Sequence, residues 1–134
     1  FAAGGRSQGL ATRRGRGVVA PAEVAAELQA ADLCVSWSRS ESFGMAVAEA
    51  VACGTPVLAF ATGAIPTLVR HGRNGWLLPT DADDMAMTRQ LHTLLGDPVL
   101  LRAARARAVL PNLAAWPAVA ERFAAACARL AVHV

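Results

Sequence analysis

Apolar residues follow two rhythms along this chain. Short runs bounded by turn residues occur at FAAG (1–4), GVVA (17–20), DLCVSW (32–37), PVLAF (56–60) and GWLLP (75–79). Runs of that kind predict strands covered on both faces. Between and after them lie helical stretches: PAEVAAELQAA from Pro21, GMAVAEAVACG from Gly44, IPTLVRHG from Ile65 and DDMAMTRQLHTLLG from Asp83. Alternation with short connections predicts parallel strands joined by right-handed crossovers, a Rossmann-like α/β sheet with flanking helices. The strand and helix core falls at about 17–95. Beyond it, PVLLRAARARAVL, a break at Pro111-Asn112, and a stretch from Pro117 predict two or three closing helices over about 98–132.

Punctuation agrees with this division. Pro21 suits a first helical turn, and Gly54 stops a helix before Thr55-Pro56 restarts the chain. Asp81 or Asp83 can cap the helix that runs from Met85 to Leu95, and Gly96-Asp97-Pro98 ends it. The 134 residues make at most one domain, and the opening Phe1 leads to the expectation that upstream chain is missing.

Composition narrows the function classes. Hydrophobic content is 54%, much of it Ala, and all 13 basic residues are Arg. A net charge of +3 suits an anionic ligand, but it lacks the clustered basic surface of a nucleic-acid binder. The run Arg13 to Arg16 is short and Gly-broken, and reads as a solvated loop. No nucleic-acid partner is expected. Every apolar run is interrupted before the ~20 residues a membrane span needs. Cys34, Cys53 and Cys127 have unrelated spacings and read as reduced thiols, neither a zinc set nor a disulfide framework.

The chemistry concentrates in ESFGMAVAEAVACGTPV, Glu41 to Val57. A polar loop, Ser38 to Ser42, follows the DLCVSW strand, and open α/β sheets collect ligands beyond the carboxyl ends of their strands. Phe43-Gly44 then opens an apolar helix expected to be buried. Its first N–H groups, near Gly44, Met45 and Ala46, have no intrahelical acceptors and offer oriented donors to phosphate. Glu49 stands in the middle of that helix, one turn beyond Met45 on the same side. A lone buried carboxylate is costly without a partner. Two readings follow: Glu49 accepts the neighbouring hydroxyls of a ribose, or it pairs with an Arg or reaches solvent.

The same stretch resembles the retaining glycosyltransferases of the GT-B fold, family 4, whose C-terminal domain carries a Glu-x7-Glu element. Glu41 and Glu49 fill its two acidic positions. AADLCVSWSRSE upstream and TGAIPTLVRHGRNGWLLP downstream are similar to the family's flanking blocks. The resemblance implies that residues 1–134 are part of a donor-binding C-terminal domain, in an enzyme that moves a sugar from a nucleotide sugar to an acceptor. It implies that Glu49 binds ribose and that the Met45 and Ala46 amides hold the diphosphate. Glu41, the candidate catalytic residue, meets the donor sugar with Phe43 and Gly44, and Ser38 lies on the same rim. No cofactor or metal is implied, the nucleoside-diphosphate sugar being a substrate. Asp81-Ala82-Asp83 imitates a metal motif but sits at a helix start, where capping is the preferred reading.

The sequence departs from the family at Ser42, Ala64 and Thr67, which replace Gly, Gly and Glu. The chain also has no Lys and lacks the Arg and Lys that clamp the diphosphate in the family; Arg39 or Arg6 is a candidate to stand near phosphate, but neither matches the position of that clamp. The resemblance therefore implies a missing N-terminal acceptor-binding domain, a fragment inactive alone, and a cytoplasmic enzyme whose attachment to the inner membrane face is undetermined. The alternative is a non-catalytic or degenerate module that binds a nucleotide sugar.

Overall fold

The computed structural model describes residues 17–108 and Glu121. Three parallel strands, β1 (Cys34–Ser36), β2 (Val57–Phe60) and β3 (Gly75–Leu78), lie in the order β1-β2-β3. Cys34 stands opposite Val57, and Val57 opposite Gly75, so the carboxyl ends of all three strands form one edge. Helices α1 (Pro21–Ala30), α2 (Met45–Ala52) and the single turn α3 (Ile65–Leu68) precede β1, β2 and β3 in turn. Helices α4 (Asp84–Leu95) and α5 (Pro98–Ala106) follow the last strand. The expected Rossmann-like α/β sheet is what forms.

Alternation along β2 divides the core into two layers. Val57 and Ala59 pack with Val47, Val51, Ile65 and Leu68 from α2 and α3. Leu58 and Phe60 point the other way, against Trp76, Met87, Leu94 and Leu101 from β3, α4 and α5. All four β2 residues are inaccessible to solvent, so the continuous run PVLAF has no polar alternate.

Two expectations need correction. GVVA (17–20) is not a strand: Val18 is fully exposed, and Ala20 is the extended N-cap of α1. Glu23 in the first turn accepts the Ala20 N–H at 3.1 Å, which makes these residues a helix lead-in. The helix from Ile65 is also shorter than IPTLVRHG suggests. Asn74 is buried and takes both neighbouring backbone groups, accepting the Arg70 N–H at 2.7 Å and donating to the Leu68 carbonyl at 3.1 Å. A side chain that competes for these groups ends the helix after one turn. The run FAAG, the break at Pro111 and the stretch from Pro117, except Glu121, lie outside the described residues.

Candidate functional site

The β1–α2 loop leaves the carboxyl edge of the sheet at Trp37 and turns tightly, with the Ser38 hydroxyl donating to the Ser40 carbonyl at 2.9 Å. Gly44 is the N-cap of α2 in the left-handed region, φ 83° and ψ 58°, and is buried. A Cβ there would meet Ile65 Cγ1 at 3.1 Å, so glycine satisfies both the dihedral and the close approach. Among the described residues no side chain caps α2. Met45 is 62% exposed and Ala46 is exposed.

Helix α2 is not buried all round. Val47, Ala48, Ala50 and Val51 face the core, whereas Met45, Ala46, Glu49 and Ala52 face out. Glu49 is therefore exposed, and the expectation of a buried carboxylate is wrong. Small alanines on both faces disguise the amphipathic pattern. The carboxylate has no hydrogen-bond or ion-pair partner among the described residues, so of the second reading the Arg pair does not hold there and the reach to solvent does. It lies about 6 Å along the helix axis from Met45, on the same side. Beside it opens a cavity of about 330 Å³ between α1 and α2, lined by Val19, Pro21, Val24, Leu28, Glu49 and Cys53, among others.

Two contacts tie the β1–α2 loop to the neighbouring βα loops. On one side the Ala64 N–H donates to the Ser42 carbonyl at 3.0 Å, and Gly63 sits against the Glu41 carbonyl so closely that a Cβ would lie 1.8 Å from its oxygen. On the other side Arg39 donates to the carbonyls of Thr80 at 3.0 Å and Ala82 at 2.7 Å, and pairs with Asp84 at 2.8 Å. Its guanidinium also lies 4.3 Å from the centre of the Phe60 ring. The Trp37 indole N–H donates to the same Asp84 oxygen at 3.2 Å. These bonds, Arg39's first, hold the Asp84 carboxyl below its usual range. Arg39 is thus engaged by protein groups on both terminal nitrogens; Arg6 lies outside the described residues.

Ser38, Glu41 and Phe43 lie in the β1–α2 loop, Gly44 caps α2, and Met45, Ala46 and Glu49 lie on its exposed side, with Glu41 half-buried and Phe43 40% exposed. Sequence reasoning met Gly63 only as part of the block TGAIP and missed Trp37 and Asp84, which nothing local signals. Asp83 is the N-cap of α4, accepting the Ala86 N–H at 2.6 Å, as the capping reading expects. His71 is exposed, with Nδ1 3.1 Å from the Leu77 amide nitrogen, and His92 lies exposed on α4. Cys34 and Cys53 are free and half-buried; burial pushes the Cys34 thiol up. Among the described residues no three His, Cys, Asp or Glu side chains converge in a way that could hold a metal.

Residues 7–97 match the profile of a family described as glycosyl transferases group 1. The chain belongs to this family. A glycosyl transferases group 1 relative, the D-inositol 3-phosphate glycosyltransferase of Thermobispora bispora, is 43% identical over 103 residues, 76% of this chain and 24% of its own length. Sucrose-phosphate synthase from Thermosynechococcus elongatus superposes with a TM-score of 0.64 at 32% identity, covering 84% of this chain and 28% of that one. HepE from Anabaena, in complex with UDP, superposes with a TM-score of 0.53 at 30% identity, covering 60% and 22%. The chain spans less than a quarter of the curated relatives it matches, 17% and 24% in two of them. These structural neighbours are GT-B glycosyltransferases, and the sheet and helices described above match a part of each.

Proposed function

We propose that this chain is the donor-binding part of a retaining, family 4 glycosyltransferase, which moves a sugar from a nucleoside-diphosphate sugar to an acceptor held by a second domain. The observation that carries the reading is one exposed helix face bearing both an uncapped N-terminus and a carboxylate without a partner among the described residues. The Met45 and Ala46 amides hold the diphosphate. Glu49, one turn on, accepts the two ribose hydroxyls. Glu41, with Phe43 and Gly44, meets the sugar, and Ser38 borders the rim.

The chemistry asked of the protein is positioning and charge stabilisation. As the glycosidic bond breaks on the face the acceptor approaches, negative charge grows on the departing diphosphate. Oriented donors at a helix N-terminus are worth most against a charge that develops during the reaction. Glu41 then orients the sugar and is not a covalent nucleophile. No metal enters this reading, and the chain alone, without the acceptor-binding half, is inactive. The likeness to a HepE structure in complex with UDP makes uridine the first base to try.

The test is calorimetric titration of the full-length protein with UDP, GDP and ADP, beside Glu49→Ala. Losing two charge-assisted hydrogen bonds weakens binding by about 2–4 kcal/mol. Glu49 is exposed, so the substitution leaves stability within about 0.5 kcal/mol. Binding of one nucleotide that Glu49→Ala abolishes supports the donor site. Binding by none of the three sinks the donor site, and equal binding by the variant sinks the role of Glu49 in it.

A further inference from the structure

We propose that Arg39 is a positioning residue: it brackets the Ser38–Ser42 loop to the Thr80–Asp84 segment and so holds Glu41 where the donor sugar is met. This rests on the functional reading above and adds to it residues that no sequence motif assigns. Arg39 arises from the loop after β1, lies over Phe60 at the end of β2, and ends on carbonyls and a carboxylate that follow β3. One side chain thus spans the carboxyl edge of all three strands.

The geometry explains why arginine is needed. Two nitrogens of the guanidinium fork meet three acceptors: the Thr80 and Ala82 carbonyls from one nitrogen, Asp84 from the other. The flat group rests on a ring that is itself completely buried and therefore fixed. A lysine ammonium is a compact point charge that neither stacks nor forks in this way. The Trp37 indole on the same Asp84 oxygen closes the bracket from the residue two places before Arg39. Two residues beyond Arg39 the opposite side of the loop is pinned, with the Glu41 carbonyl against Gly63 and the Ser42 carbonyl on the Ala64 N–H. Glu41 is therefore held from both directions, and loss of Arg39 frees one of them. A catalytic constellation displaced by about 1 Å can lose a hundredfold in rate, which gives such a bracket its value.

The experiment uses the full-length protein with Arg39→Lys, Arg39→Ala and Asp84→Asn. Hydrogen exchange is followed in a peptide covering 37–44, with a β2 peptide as reference. Exchange in the loop is expected to rise by about tenfold or more in Arg39→Ala and by less in Arg39→Lys, with β2 unchanged. In parallel, whichever of UDP, GDP and ADP binds is titrated together with its glucose conjugate. The nucleotide alone keeps its affinity within about threefold, while the conjugate weakens by about tenfold, the loss expected when contacts to the sugar are misplaced. Unchanged loop exchange overturns the bracket. Faster exchange with nucleotide and conjugate affected equally, or not at all, makes Arg39 structural and overturns the positioning role. If the unsubstituted protein binds no nucleotide, the functional reading itself falls and takes the positioning role with it.

Discussion

Gly63→Ala measures how firmly the β2–α3 loop is docked on the site. The glycine has φ 53°, and an added Cβ would lie 1.8 Å from the Glu41 carbonyl oxygen and 2.7 Å from that of Ser42. The left-handed dihedral alone costs an alanine about 1–2 kcal/mol. Carbon and carbonyl oxygen normally stand about 3.3 Å apart, so the two loops must separate by roughly 1.5 Å. Forcing packed groups apart adds about 1–3 kcal/mol, and the Ala64–Ser42 hydrogen bond is stretched with them. The sum is about 2–5 kcal/mol of lost stability. Gly54→Ala is the control, because Gly54 has φ 75° with nothing within 4 Å of an added Cβ. It should cost only the dihedral term of about 1–2 kcal/mol. Urea unfolding monitored by tryptophan fluorescence gives both values, since Trp76 is buried in the core. If Gly63→Ala costs no more than Gly54→Ala, the loops are not docked as described and the support for Glu41 on that side disappears.

Asp83→Ala removes the cap of α4 and should cost about 0.5–2 kcal/mol in the same urea assay. Asp84 has a carboxyl pKa lowered by Arg39 and then Trp37, so it adds stability above the ordinary carboxylate value of about 4 and loses it as pH falls through the lowered folded value. Urea midpoints followed from pH 6 toward pH 2 should therefore fall less steeply in Asp84→Asn than in the parent. At neutral pH iodoacetamide should label Cys53, which borders the cavity beside Glu49, well before Cys34, whose thiol is raised by burial. Mass spectrometry of digested samples distinguishes the two, and faster labelling of Cys34 would contradict the packing of β1.

The order of the elements from α1 to α4 was legible because its signals are local. Strand runs such as PVLAF, the Gly44 opening of α2 and the Asp83 cap each depend on neighbours within a few residues. What the pattern misjudged needed distant partners. GVVA has strand-like composition, yet being a strand requires a pairing neighbour, and its residues instead lead into α1. The end of α3 is decided by Asn74, six residues beyond Leu68. Glu49 seemed buried because alanine is indifferent to exposure, so a half-exposed helix rich in alanine looks uniformly apolar. The Arg39–Asp84 bond joins positions 45 apart in sequence, and no periodicity announces it.

The far end of α1 holds one more long connection. Arg105 donates to the Ala31 carbonyl at 2.6 Å and to that of Gln29, while Thr55 donates to the Leu28 carbonyl. Helix α1 has no fully buried residue of its own, so these bonds and its half-buried packing hold it in place. Arg105 follows Ala31 by 74 residues, an interval of about 4 to 15 seconds at ordinary rates of protein synthesis. During translation α1 emerges seconds before the side chain that caps it exists. The wall it lends to the cavity beside Glu49 leans first on Thr55 and α2, and gains the Arg105 bonds only after that interval.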